Sequence, residues 1–244
     1  IAKENIEARK LTDMTGLKGM AAMDHLGVIK LILDSYGEAA TADKIQEVLV
    51  PDVIEEDYKK WWETARREMK KDGHYLIPTK KAEPIVYQAE ETPFQERVLE
   101  SFIAAKGLKA RIGVAAEVCK GAADLDDVES AGTETIQLLN NEIKSHARSK
   151  PGLALEAVFA RDDIRAVTGV ETTEGEPEAA TVWGQKPLLD ELLGGMPVAK
   201  QRRALQSYQE SKSGWPADLL RVINRVSARL CGEIVQVLAA TDNV

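Results

Sequence analysis

Between Asp24 and Tyr87 the spacing of apolar residues changes from helical to alternating, and this change of period constrains the fold more than any other feature of the chain. Leu26, Ile29, Leu33 and Tyr36 recur at helical spacing, and Gly37 follows where a left-handed C-terminal cap belongs. Thr41 can cap a short second helix whose inward residues are Ile45, Val48 and Leu49, and Pro51 ends it. Asp52 and Glu55 have the spacing of a capping box, which predicts a third helix over about 54–71. Its apolar stripe is Tyr58, Trp61, Trp62, Ala65 and Met69, opposite Lys59, Glu63, Arg66, Arg67 and Lys70. Asp72-Gly73 stops it. His74 to Ile77, a turn at Pro78 to Lys81, and Glu83 to Tyr87 then read as a β-hairpin with a basic tip. Three helices and a hairpin are the order of elements in a winged helix, with the third helix as recognition helix and the hairpin as wing.

Residues 1–14 are polar and helix-compatible and Gly16 and Gly19 then interrupt the pattern, which predicts an N-terminal arm over 1–22, so the winged-helix-like domain spans 23–90. From Phe94 onward, residues 91–244 show helical spacing and no strand pattern. Helices are carried by Phe94, Val98, Phe102 and Ile103, by Ile136, Leu139 and Ile143, and by Leu155, Val158 and Phe159. Glu171 to Glu178 is acidic, contains Gly175 and Pro177, and reads as a mobile loop. After it come Leu188, Leu189, Leu192 and Leu193, with a break at Gly194-Gly195. Pro197 and Pro216 suit first helical turns ahead of Leu205 and Tyr208, of Leu219, Leu220 and Ile223, and of Leu230, Ile234 and Leu238. The fold class expected is therefore mainly α: a winged-helix-like unit with a small β-hairpin, then a helical array built as a bundle or a HEAT-like stack.

The residues offer little for catalysis. His25, His74 and His146 are separated from one another and from Cys119 and Cys231, so no zinc site follows from local spacing, and the cysteines read as buried reduced thiols. Asp124, Asp126, Asp127 and Glu129 resemble the start of a calcium loop, but Glu129 stands where glycine is needed and Thr135 where glutamate is needed. They read instead as an acidic helix start. With no phosphate-binding glycine loop and no nucleophile elbow, the expectation is a non-enzymatic binding protein without metal or cofactor. No apolar run is long enough to span a membrane and Ile1 to Glu4 do not read as the start of a signal peptide, so a cytoplasmic protein is the expectation. The first residue is Ile1 rather than Met, suggesting a piece of a longer protein.

Charge is unevenly spread. The chain of 244 residues carries a formal net charge of -8, yet Tyr58 to Lys81 is +5, which leaves -13 for the remainder. The eight basic residues of that segment, Lys59, Lys60, Arg66, Arg67, Lys70, Lys71, Lys80 and Lys81, are the candidate contacts to nucleic acid or to a partner protein. They equally suit the solvated outer face of a helix, with Glu63 and Arg67 as an i,i+4 pair. Trp61 and Trp62 can pack inward or stack on bases. Winged helices also dock on proteins, so the motif alone does not specify DNA.

The runs Met23-Asp24-His25-Leu26-Gly27-Val28-Ile29-Lys30 and Tyr58-Lys59-Lys60-Trp61-Trp62 through Lys71-Asp72-Gly73 resemble the long N-terminal extension of certain GreA/GreB-family transcription elongation factors. The double Trp followed by a basic helix and an Asp-Gly turn is the specific part, and Met196 to Leu205 is similar to the helical array that follows in such proteins. Gre factors insert an antiparallel coiled coil with an acidic tip into the RNA polymerase secondary channel, where the acids help hold magnesium for transcript cleavage. Neither that hairpin nor its tip motif is present here, so no catalytic residue carries over. The resemblance implies an accessory region of a transcription factor whose partners are RNA polymerase, DNA or both. An independent DNA-binding regulator and a protein-interaction scaffold are the alternatives.

Overall fold

The computed structural model describes residues 5–78 and 80–240, and the chain divides into two compact units, Ile1–Arg97 and Val98–Val244. The first contains α1 (Ile6–Thr12), α2 (Met14–Met23), α3 (His25–Ser35), β1 (Ala39–Ala40), α4 (Ala42–Leu49), α5 (Tyr58–Asp72), β2 (Tyr75–Leu76) and β3 (Ile85–Tyr87).

The expected N-terminal arm is instead two helices built into the core. Ile6, Leu17 and Ala21 are buried with the residues of α3 and α4. The Ile6 amide donates to Ser35 Oγ at 2.9 Å, and Lys10 Nζ donates to the Val48 carbonyl at 2.9 Å. Polar composition misleads here because Asp13 and Asp24 are caps: their carboxylates accept from the Gly16 and Gly27 amides at 2.9 and 2.8 Å, one at the start of α2 and one at the start of α3. A Cβ on either glycine would lie 2.2 Å from Oδ2 of the capping carboxylate. Gly16 thus permits the cap rather than breaking the helix.

α3 buries Val28, Ile29, Ile32 and Leu33 and ends ahead of Gly37, whose φ of 81° is the left-handed conformation expected there. α4 is as read from its sequence, with Thr41 Oγ1 accepting from the Lys44 amide at 3.1 Å and Ile45, Val48 and Leu49 buried. The third helix departs from expectation at its start. The Asp52–Glu55 capping box does not form; Val53 and Ile54 turn inward, their amides both donating to the Leu49 carbonyl at 2.9 Å, and Glu55 pairs with Lys18. Burying two β-branched residues outweighs a surface cap, and α5 begins after Asp57, itself left-handed at φ 57°. Gly73, at φ 83°, ends it.

The hairpin forms as expected, with Tyr75 opposite Tyr87 and Leu76 opposite Val86. A third strand joins it. Ala39 and Ala40 pair antiparallel with Val86 and Ile85, giving the sheet order β1-β3-β2.

Among its described residues the second unit has helices and no strand. α6 (Phe94–Ala104) leads into it, followed by α7 (Leu108–Lys120), α8 (Val128–His146), α9 (Pro151–Thr168), α10 (Ala179–Gly184), α11 (Leu189–Gly195), α12 (Val198–Ser211), α13 (Trp215–Val222) and α14 (Ala228–Ala239). α9 is its axis: it packs against α7, α8, α10 and α11 and buries Ala154, Leu155, Ala157, Val158, Phe159 and Ile164. A helix apolar on several faces is one enclosed by neighbours. Asp127 caps α8 by accepting from the Ser130 amide at 2.9 Å, so the acidic run does begin a helix. The segment expected to be a mobile loop is pinned. Glu176, its side chain only 6% exposed, pairs with Arg165 at 2.5 Å and lies 3.8 Å from the buried Arg161 guanidinium. Arg161 also donates to the carbonyl of Pro177 at 2.5 Å. Burial pushes the Glu176 carboxyl up, but hydrogen bonds from Thr173 and the Arg165 charge outweigh it and hold the group below its ordinary value.

Candidate nucleic-acid interface

α5 turns Ala65 and Met69 fully into the core, with Tyr58, Trp61 and Trp62 half-buried beside them. At about 100° per residue this apolar stripe leaves one outward arc, and all six cations of the helix fall on it. Lys59, Arg66 and Lys70 form one row; Lys60, Arg67 and Lys71 form a second row beside it. Together they cover an arc of about 140°. All six are exposed, and among the described residues none of their side chains makes an ion pair or hydrogen bond.

The acids of the same segment are dispersed. Glu68 turns away to His25, whose Nδ1 lies 3.2 Å from Glu68 Oε2, and Asp72 accepts from the His74 amide at 3.3 Å. Glu63 alone stands inside the basic arc, so the exposed face sets six cations against one carboxylate.

The wing cations differ from those of the helix. Lys80 pairs with Glu83 at 3.1 Å, and Lys81 with Asp43 on α4 at 2.6 Å. Both are exposed, but each already has a carboxylate partner that a phosphate would have to displace. The sequence carries no local sign of the second pairing, because Asp43 lies far away along the chain.

The two tryptophans separate. Trp61 Nε1–H donates to the Ala21 carbonyl at 2.6 Å, and its ring lies 5.4 Å from that of His25. That ties α5 to α2 and gives Trp61 a structural role. Trp62 lines a hollow of about 290 Å³ between α5 and the wing, with Arg66, Ile77, Pro78, Lys80 and Lys81 around it. This hollow, an apolar wall edged by cations, was not visible as a unit in the sequence, since it depends on how the wing folds back toward α5. Tyr58 lies beside both tryptophans, its ring centroid 6.1 and 6.3 Å from theirs; burial, then the charge of Asp43, raise its phenol far above the ordinary value, so it stays neutral.

Among the described residues no three His, Cys, Asp or Glu side chains gather as a metal ion would require, and no helix is long and apolar enough to cross a membrane. Cys119 and Cys231 are free and half-buried rather than fully buried. Burial, then the charge of Asp163, raises the Cys119 thiol, which disfavours the reactive thiolate.

Comparison with known proteins places the first unit. Residues 7–92 match the family model of the GRAD helix-turn-helix domain. The chain is also similar to "Transcription elongation factor GreA" of Chlamydia trachomatis serovar D (strain ATCC VR-885 / DSM 19411 / UW-3/Cx), at 29% identity over 102 residues. That stretch is 41% of this chain and only 14% of the relative. No solved structure matches.

Proposed function

We propose that this chain is a non-catalytic accessory region of a transcription elongation factor-like protein, and that it docks on nucleic acid, RNA polymerase or both through the outer face of α5 and the wing tip. The observation that carries this reading is the set of six exposed cations on one helix face, none of them paired with another side chain among the described residues. Unpaired cations on a rigid helix meet a polyanion without first breaking internal ion pairs, and binding releases counterions from the nucleic acid. The match to a helix-turn-helix domain and the partial similarity to a protein named a transcription elongation factor support the same direction.

In this reading Lys59, Lys60, Arg66, Arg67, Lys70 and Lys71 contact phosphates. Lys80 and Lys81 contribute less, because Glu83 and Asp43 compete for them. Trp61 holds the helix in place, and Trp62 walls the hollow at the wing. Phosphate contacts of this kind position a protein without specifying sequence.

The test is a pair of assays on the parent and on Arg66→Glu/Arg67→Glu/Lys70→Glu: binding of labelled duplex DNA at low salt, and co-purification with RNA polymerase of the source organism. Loss of both in the variant, at unchanged melting temperature, supports the reading. A variant that binds both as the parent does refutes the assignment of α5.

A further inference from the structure

The second unit carries a surface that the reading of the first does not use. Leu188, 61% exposed, stands between α10 and α11 with Pro187 as a short apolar ridge. On one side lies a hollow of about 610 Å³ that Trp183, Leu189 and Val222 help to line. On the other lies a hollow of about 350 Å³ reached by Leu153, Leu192 and Met196. Pro187 and Leu188 border both.

The floor of the larger hollow is rigid. Trp183 is buried, donates from Nε1 to Ser207 Oγ at 3.1 Å, and meets the Tyr208 ring edge-on at 4.9 Å. Tyr208 in turn donates to Asp218 Oδ2 at 2.7 Å, and Asp218 also accepts from Arg221 at 3.0 Å. The ridge is held up by the backbone at Lys186, a non-glycine residue at φ 53° whose amide donates to the Trp183 carbonyl at 3.1 Å. A non-glycine residue persists in that strained conformation where the surroundings fix it.

Charge distinguishes the possible occupants. Lys186, Lys212 and Arg225 border the larger hollow, and among the described residues none of their side chains is paired; the one unpaired carboxylate there is Asp190. This cationic rim sits on a unit with more acidic than basic residues. A second copy docking ridge into hollow would set the two cationic rims against each other, so self-association is disfavoured. We propose that the Pro187–Leu188 ridge and its flanking hollows dock an acidic amphipathic helix of a partner protein. Two apolar side chains one turn apart on that helix straddle Leu188, and carboxylates on its flank face Lys186, Lys212 and Arg225.

The probe is a fluorescein-labelled helical peptide bearing two leucines one turn apart among glutamates. Control peptides carry lysine in place of glutamate, or alanine in place of leucine. Anisotropy titrations use the full chain, Leu188→Ser and Lys212→Glu/Arg225→Glu, whose altered side chains lie at the surface, with melting temperatures measured alongside. The expected result is saturable binding of the acidic leucine peptide alone, weakened about tenfold by either variant at unchanged melting temperature. Absence of saturation, equal binding of the lysine control, or variants that bind like the parent would overturn the proposal. So would sedimentation showing that the parent dimerises and that Leu188→Ser abolishes the dimer, because a second copy would then cover the surface.

Discussion

Replacing Arg66, Arg67 and Lys70 together by alanine gives a prediction whose size follows from the geometry of α5. The helix presents six cations whose side chains have no partner among the described residues. If each neutralises one phosphate of a B-form duplex, log affinity falls with log salt at a slope of about -5.4, and raising salt from about 50 to about 200 mM weakens binding by about 2,000-fold. The triple alanine variant keeps Lys59, Lys60 and Lys71. Its slope becomes about -2.7, and the same salt increase weakens binding by only about 40-fold. All three replaced side chains are exposed and alanine is the best helix former, so folding is preserved and the difference reports phosphate contacts. Anisotropy of a labelled duplex at several salt concentrations measures both slopes. A variant with the parent's slope would refute the assignment, since the phosphate contacts would then lie elsewhere.

Trp61→Ala should destabilise the chain by about 3 kcal/mol, measured by urea denaturation, because it removes a half-buried ring and leaves the Ala21 carbonyl without its donor. Unchanged stability with lost nucleic-acid binding would instead make Trp61 a stacking residue. Glu176→Gln should be destabilising at neutral pH and nearly neutral in acid. The folded-state carboxyl sits below its ordinary value, so its contribution is present above the unfolded pKa and is lost as pH falls through the folded one. Denaturation curves of parent and variant at neutral and acidic pH should therefore converge in acid, and a constant gap would show that the ionised carboxylate is not what pins the loop.

How much of this was legible in the sequence depended on how local the determining contacts are. α4 could be read residue by residue, because its cap and apolar stripe lie within one short segment. α3 and the hairpin were legible for the same reason. α1 showed only as helix-compatible sequence and α2 not at all: their caps look like polar loop residues, and only the burial of Ile6, Leu17 and Ala21 with helices further along the chain reveals them as core. α7 also escaped notice; its inward residues include Ala115 beside Leu108, Ile112 and Val118, and small residues give a weak apolar pattern. β1 is two alanines, too short to show any period, and exists because β3 offers it hydrogen bonds. The eight cations of the proposed interface stand out by composition and spacing, but their inequality does not. That Lys81 is paired while Arg66 is free depends on Asp43, which lies on α4.

The pairing of β1 with β3 also bears on how such a unit can change over evolutionary time. Ala39 and Ala40 meet Val86 and Ile85, so the strands clasp the base of a long excursion of chain that contains α4, α5 and β2. Within that excursion α4 and α5 are fixed by burial and β2 by its ladder with β3, whereas Lys80 to Pro84 is exposed and lies outside every element. Lengthening or shortening an exposed tip between already paired strands adds little closure entropy, since that cost grows only slowly with loop length. The clasp thereby separates two properties that usually vary together: the reach and charge of the wing can drift from one relative to the next while the frame that aims α5 stays the same.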